Sequence, residues 1–249
     1  MHYFLSPHLD DIALSCGGYV RRLVQRGERV VIVTVCTGDW PTERPLTPAI
    51  QKEHSQWKLG EWPYRARRLE DDAATKVLGA YAVHLGLPDA IYRFDAQNQP
   101  MYVRDFIGVP PNPEDWKEHA IALAAKLTAL IPAEAHIYCP LAVGRHVDHS
   151  IVRQVVEVIY PRSRITYYED YPYADQPVAL ATETAQLPNA QSKQIELTVD
   201  ELDTRIAAVA CYASQVPVMF GTNVQMAERI RAYATNAGGE RFWTASLAP

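Results

Sequence analysis

The run Val30-Val31-Ile32-Val33-Thr34-Val35 constrains this chain more than any other stretch. It is β-branched throughout and shows no polar alternation. That pattern specifies a strand covered on both faces, and such strands belong to parallel sheets flanked by helices. The residues before it complete the unit. Residues 3–7 read as a first strand, and Asp10 or Asp11 opens a helix. Its apolar positions Ile12, Leu14, Tyr19, Val20, Leu23 and Val24 roughly follow a helical period to about Gln25, where Gly27 ends it. Strand, helix and strand make a βαβ unit with a right-handed crossover.

The alternation continues along the chain. Helices are expected over about 64–78, 116–130, 150–160 and 200–212, and strands over 81–85, 135–139 and 164–169. The expected fold is α/β: a Rossmann-like, mostly parallel sheet with helices on both faces, long rim loops and a C-terminal helical extension. The chain's 249 residues suit a single domain, with a core of about 1–170 and an extension of about 171–249. Residues 39–62 and 88–115 read as long irregular segments, and 171–197 as a loose one. Such segments inside a compact domain are usually functional rims, and their aromatic content points to a walled cleft.

Charge excludes some partners. The net charge is -5, and the densest basic cluster, Arg65, Arg67 and Arg68, is followed at once by Glu70, Asp71 and Asp72. That reads as a charged helix face, so no nucleic-acid partner is expected. The four cysteines show no CxxC spacing and read as free thiols. No apolar run reaches membrane-spanning length and no leader pattern opens the chain, so the expected location is cytoplasmic.

Two short motifs carry the chemistry. Pro7-His8-Leu9-Asp10-Asp11 follows the first strand, and His146-Val147-Asp148-His149 comes several residues after the fourth. Ligands of an open parallel sheet bind beyond the carboxyl ends of its strands, so both motifs can reach one edge. Zinc in hydrolases takes three protein ligands and keeps a fourth position for water. His8, Asp11 and His149 make such a set. Asp10 would stand beside the ion without coordinating it, free to take a proton from water. His146, as an imidazolium, would stabilise an oxyanion and protonate a leaving amine, with Asp148 holding its charge. Each half also has a plainer reading. Acids at a helix start cap N–H groups and favour the dipole, and a lone His-Val-Asp-His fits a surface turn.

Together these residues resemble the LmbE/PIG-L family of zinc-dependent N-acetylglucosaminyl deacetylases, which carries [PA]-H-P-D-D-E after its first strand and H-P-D-H much later. Weaker likenesses follow in family order: Cys16-Gly17-Gly18, Thr37-Gly38-Asp39, Arg67 with Glu70, Leu87-Pro88-Asp89, Tyr212-Ala213-Ser214-Gln215 and Glu240-Arg241-Phe242. The resemblance implies a Rossmann-like fold. It also implies zinc ligands His8, Asp11 and His149, a general base Asp10, and an oxyanion partner and acid His146. Leu9 and Val147 replace two prolines of the family pattern, and Ile12 replaces its glutamate. The first change alters loop stiffness more than chemistry. The second removes a polar group near the metal.

Other residues admit two roles each. Arg67 either binds a substrate phosphate or hydroxyl or pairs with acids of its own helix. Asp89 and Arg93, after the third strand, either contact a sugar or form a turn. His54 and His119 are expected at the surface, and His2, His84 and His136 in structural positions. The reading is a metal-dependent hydrolase, with Zn²⁺ or else Fe²⁺ or another divalent ion. It would remove an N-acetyl or similar acyl group from a small-molecule amino sugar or sugar conjugate. The rivals are an amidase acting on a thiol or antibiotic conjugate and a non-catalytic, metal-containing sugar-binding protein. A homo-oligomer is compatible with the sequence.

Overall fold

The computed structural model describes residues 1–103 and 106–246. β1 (His2–Ser6), α1 (Asp11–Gln25) and β2 (Val30–Cys36) form the expected βαβ unit. Both strands are buried along their whole length and pair in parallel, with Leu5 opposite Val33. Next come α2 (Pro48–Trp57), α3 (Pro63–Leu78), β3 (Tyr81–Leu87), α4 (Pro113–Leu130), β4 (His136–Pro140), α5 (Val147–Ile159) and β5 (Ile165–Tyr168). The remainder contributes α6 (Pro177–Thr184), β6 (Gln191–Ile195), α7 (Val199–Val209), α8 (Val216–Met219), α9 (Asn223–Ala237) and β7 (Glu240–Thr244).

These strands make one sheet in the order β3-β2-β1-β4-β5-β7-β6. β3 to β5 are parallel, whereas β7 runs antiparallel to both β5 and β6. Helices α1, α3 and α7 pack together over one face, and α4 and α5 over the other. The chain winds outward from β1 through β2 to β3, then crosses back to β4 on the other side of β1. The strand order therefore reverses between β1 and β4, and an open α/β sheet leaves its ligand crevice at such a point. The loops leaving β1 and β4, which carry the two motifs, flank it.

The residues after β5 supply the expected helix as α7, together with α6, α8 and α9, and also add β6 and β7 to the sheet. β6 escaped the sequence reading because four of its five residues are exposed and only Ile195 is buried. α2 lies inside a segment read as irregular. Thr47 caps it, Pro48 starts it, and it buries only Ile50 and Trp57, too few to print a period. Cys16, Cys36 and Cys139 are buried thiols as expected, and Cys211 is half-buried. Among the described residues, no helix is long and apolar enough to cross a membrane.

Helix α1 is broken at Cys16 (φ -147°, ψ 26°), and the extension repairs the break. The backbone N–H groups of Gly18 and Tyr19 donate to the Glu240 carboxylate at 2.9 and 2.7 Å. Arg205, fully buried, donates to the carbonyl of Leu14 and lies 3.3 Å from Glu240. A Cβ on Gly18 would come 2.6 Å from Leu197 Cδ1, so the small residues of Cys-Gly-Gly permit this close packing. Replacing Glu240 with Ala leaves a buried guanidinium unpaired. The expected loss is about 3–5 kcal/mol of unfolding free energy, measured by urea denaturation.

Candidate metal centre

The loop after β1 is pinned from below. Leu9 is fully buried in a cluster with Ile50, Trp57, Tyr64, Ile91, Tyr92 and Phe94. Ser6 Oγ donates to the carbonyl of His8 at 2.6 Å. Asp10 occupies the N-cap position of α1 but makes no side-chain cap hydrogen bond. Asp11 turns back instead and accepts the His8 backbone N–H at 2.6 Å. The capping role available to these acids is therefore not the one observed.

The loop after β4 is shaped by backbone constraint. Ala142, Gly144 and Arg145 all have positive φ. A Cβ on Gly144 would sit 2.9 Å from the Tyr173 ring, so that ring packs directly on the loop. The His146 ring caps α5, with Nδ1 accepting the Asp148 N–H at 3.2 Å. His149 follows one turn into the helix and is 2 % exposed.

The two loops bring three donor groups together. His8 Nδ1 lies 3.3 Å from His149 Nε2. Asp11 Oδ2 is 3.6 Å from His8 Nδ1, and Asp11 Oδ1 is 3.5 Å from His149 Nε2. Ligands of a tetrahedral zinc at its usual bond lengths stand about 3.3–3.4 Å apart. The two imidazole nitrogens stand at that spacing, Asp11 faces each of them with a different oxygen, and the donor types suit zinc or ferrous iron. His146 also offers a ring nitrogen within 4.8 Å of donors from His8 and His149.

Both histidines are oriented from behind by carboxylates, as metal-binding imidazoles commonly are. His8 Nε2 lies 2.8 Å from Asp148 Oδ2, and His149 Nδ1 lies 2.6 Å from Asp170 Oδ1. Asp170, 1 % exposed, also accepts the Val143 N–H at 2.9 Å, which ties the end of β5 to the β4 loop. The sequence reading passed over Asp170. Its one signal is an acid just beyond the end of a strand, and that has meaning only once β5 is known to neighbour β4.

Asp148 is placed differently from expectation. Its carboxylate serves His8 and Arg93 and stands 3.8 Å from His146 Nδ1. Burial works against the Asp148 charge, but Arg93 and His8 hold its carboxyl well below the usual range. Burial and the neighbouring His8 push His146 well down. With Nδ1 accepting a backbone N–H, the neutral His146 ring carries its proton on Nε2, and the expected imidazolium held by Asp148 is not what the geometry supports. Burial also lowers His8, but the hydrogen bond to Asp148 and the charges of Asp89 and Asp11 outweigh it and raise His8 to about 9. Metal uptake must displace that proton.

A cavity of about 360 Å³ opens over the site. Its walls include His8, Asp10, Asp11, Arg67, Asp89, His146 and His149, with Trp57, Phe106, Ile107, Tyr173, Gln215, Val218 and Met219 around them. Asp10 is raised to about 6 by burial, with Arg67 opposing the rise. Arg67 does not pair with the acids of its own helix. Glu70 is taken by the Ser214 N–H and hydroxyl at 2.8 and 2.6 Å, and Asp71 by Tyr212 and His84 at 2.7 and 2.8 Å. Arg67 instead lies over Trp57 and Tyr64 with Nη2 3.8 Å from Asp10. Asp89 caps a 3-10 turn, accepts the Tyr64 hydroxyl and sits 3.6 Å from His8 Nε2. Arg93 is 4 % exposed and is absent from the walls of this cavity; it faces Asp115 and Asp148. His119, expected at the surface, is 8 % exposed beside Asp115, because α4 turns that face inward. His54 is half-buried, with Nε2 2.5 Å from the Tyr92 hydroxyl.

Residues 3–160 match the family model described as PIG-L: GlcNAc-PI de-N-acetylase. The 2'-N-acetylparomamine deacetylase of Niallia circulans is 28% identical over 197 residues, which is 70% of this chain and 67% of that protein. The enzyme of the same name from Streptomyces fradiae is 30% identical over 184 residues, covering 72% of this chain and 60% of that protein. A deacetylase of teicoplanin biosynthesis superimposes with a TM-score of 0.76 at 25% identity, over 97% of this chain and 96% of its own. The A40926 pseudoaglycone deacetylase does so with a TM-score of 0.74 at 27% identity, over 99% and 98%. The family match over most of the chain, carried on a sheet whose switch point gathers both histidine motifs, shows that this chain belongs to the PIG-L family of GlcNAc-PI de-N-acetylases.

Proposed function

We propose that this protein is a metal-dependent N-deacetylase that hydrolyses the acetamide, or a similar amide, of an amino sugar held in a larger conjugate. The observation that carries the reading is the convergence of His8 Nδ1, His149 Nε2 and the Asp11 carboxylate, with the Asp10 carboxylate in the same cavity. His8, Asp11 and His149 would hold the ion, zinc or ferrous iron, which supplies Lewis acidity when bound.

The remaining chemistry falls to the chain. Asp10, with its pKa near neutrality, is matched to take a proton from the attacking water. The neutral His146 donates its Nε2–H to the oxygen of the tetrahedral intermediate. Asp10, then protonated, returns that proton to the amine as the C–N bond breaks. Asp148 holds His8 in its working tautomer. Arg67 and Asp89 flank the reacting end of the cavity and are the candidates for contact with sugar hydroxyls.

The mouth favours a conjugate over a free monosaccharide. Ile107 and Val218 are 50 % and 45 % exposed there, beside Phe106 and Met219, and form an apolar lip beyond the polar floor. Relatives named as deacetylases of 2'-N-acetylparomamine and of the A40926 pseudoaglycone support the same substrate class.

The test is elemental analysis of protein purified without added metal, followed by acetate release from a panel of N-acetyl amino sugars and their glycoconjugates. One divalent ion per chain and acetate from the panel are expected. Saturable sugar binding with no acetate from any member would leave only the binding-protein reading. Chelation should abolish acetate release and lower the unfolding midpoint. An ion at 100 times its dissociation constant stabilises the native state by about 2.7 kcal/mol, a shift that calorimetry resolves.

A further inference from the structure

We infer that Arg93 and Asp115 are positioning residues for the metal site: they hold Asp148 so that His8 presents Nδ1 to the ion. The inference rests on the metal reading above and adds two residues to it.

Behind His8 runs a buried chain of charges. His8 Nε2 lies 2.8 Å from Asp148 Oδ2, and Arg93 Nη2 donates to Asp148 Oδ1. Arg93 Nη1 donates to Asp115 Oδ2 at 2.7 Å. The Tyr102 hydroxyl donates to the same Asp115 oxygen at 2.6 Å and accepts the Asn112 N–H at 2.9 Å. Arg93 Nε and Nη2 also reach the carbonyl of Pro88 at 3.2 Å. Arg93, Asp115 and Asp148 are 4 %, 2 % and 1 % exposed. Every guanidinium nitrogen of Arg93 is thus bonded inside the protein, and none is turned to the substrate cavity.

The arrangement has a physical purpose. His8 must be neutral to bind an ion, so it cannot then supply the charge that a buried Asp148 carboxylate needs. Arg93 stays charged at every working pH and supplies it permanently. Its planar fork fixes the direction of the carboxylate as well as its charge, and Asp115 fixes the fork. The ring of His8 is therefore set by a relay that begins at Tyr102, in a part of the chain remote from both histidine motifs.

Metal affinity separates this role from that of a plain buried ion pair. Zn²⁺ dissociation constants would be measured by competition with a chromogenic chelator, alongside the unfolding midpoint of the metal-free protein. Arg93→Met should weaken Zn²⁺ binding by about 10–100-fold. Arg93→Lys should recover part of the loss, because it keeps the charge but not the fork. Asp115→Asn keeps the shape of the core and should weaken binding about 10-fold. It decides the matter if Arg93→Met fails to fold. Unchanged Zn²⁺ affinity in folded Asp115→Asn and Arg93→Lys, with only lower unfolding midpoints, overturns the inference while the metal reading stands. Failure of the unaltered protein to bind any divalent ion sinks both.

Discussion

Replacing Asp10 with Asn is expected to leave the ion bound and to lower kcat by about 10²–10⁴-fold. Asparagine has the shape of aspartate, so the loop between Leu9 and Asp11 keeps its packing. What is lost is the capacity to accept a proton, together with the charge that faces Arg67 Nη2 at 3.8 Å. Burial raises Asp10 to about 6 against the pull of Arg67, the direction that suits a base operating near neutral pH. Asp10 makes no cap hydrogen bond, so no helix-stabilising contact disappears with its charge. Turnover on the best substrate of the panel and metal content should be measured on the same preparation. Unaltered turnover with metal retained would take Asp10 out of the base role. Loss of the metal together with turnover would make it a ligand.

The second large effect concerns His149. His149→Ala should reduce bound metal from one equivalent to near zero and abolish turnover with it. The ring is 2 % exposed, and its removal deletes the donor that stands 3.3 Å from His8 Nδ1. It also strands Asp170, which holds His149 Nδ1 at 2.6 Å. His8 and Asp11 alone supply two of the three protein ligands that a catalytic zinc takes, and the His146 Nδ1 is already occupied by the Asp148 N–H. Asp170→Asn should do less: about a 10–100-fold weaker metal affinity with the protein still able to load at saturating zinc. Metal content by elemental analysis, with circular dichroism to establish folding, separates the two variants. Full occupancy in a folded His149→Ala protein would remove His149 from the ligand set.

Much of the fold was legible from residue pattern because its central parallel strands are buried. β1, β2 and β4 print as apolar runs, and the helices between them print a period. The last sixty residues were less legible for a physical reason. β6 is an edge strand whose exposed Gln, Ser and Lys show no apolar alternation, and α9 buries only Met226, Ile230, Tyr233 and Ala234. Their places are set by distant partners. Glu169, at the end of β5, accepts from Arg241, Tyr233 and Trp243 at 3.0, 2.9 and 2.7 Å, and Glu240 closes the break in α1.

The candidate site divides in the same way. Sequence alone singled out His8, Asp10, Asp11, His146 and His149, because two histidine-and-acid motifs at strand ends are a rare composition with a specific chemistry. It offered Arg67, Asp89 and Arg93 either as substrate contacts or in plainer roles. Only the tertiary structure decided that Asp148 serves His8 and not His146, that Asp170 stands behind His149, and that Arg93 faces inward to Asp115. A side chain's partner depends on which strands adjoin and on which neighbour meets a buried charge at least cost. Here β1 lies beside β4 and β5 beside β4, so His8 and His149, 141 residues apart, stand 3.3 Å from each other.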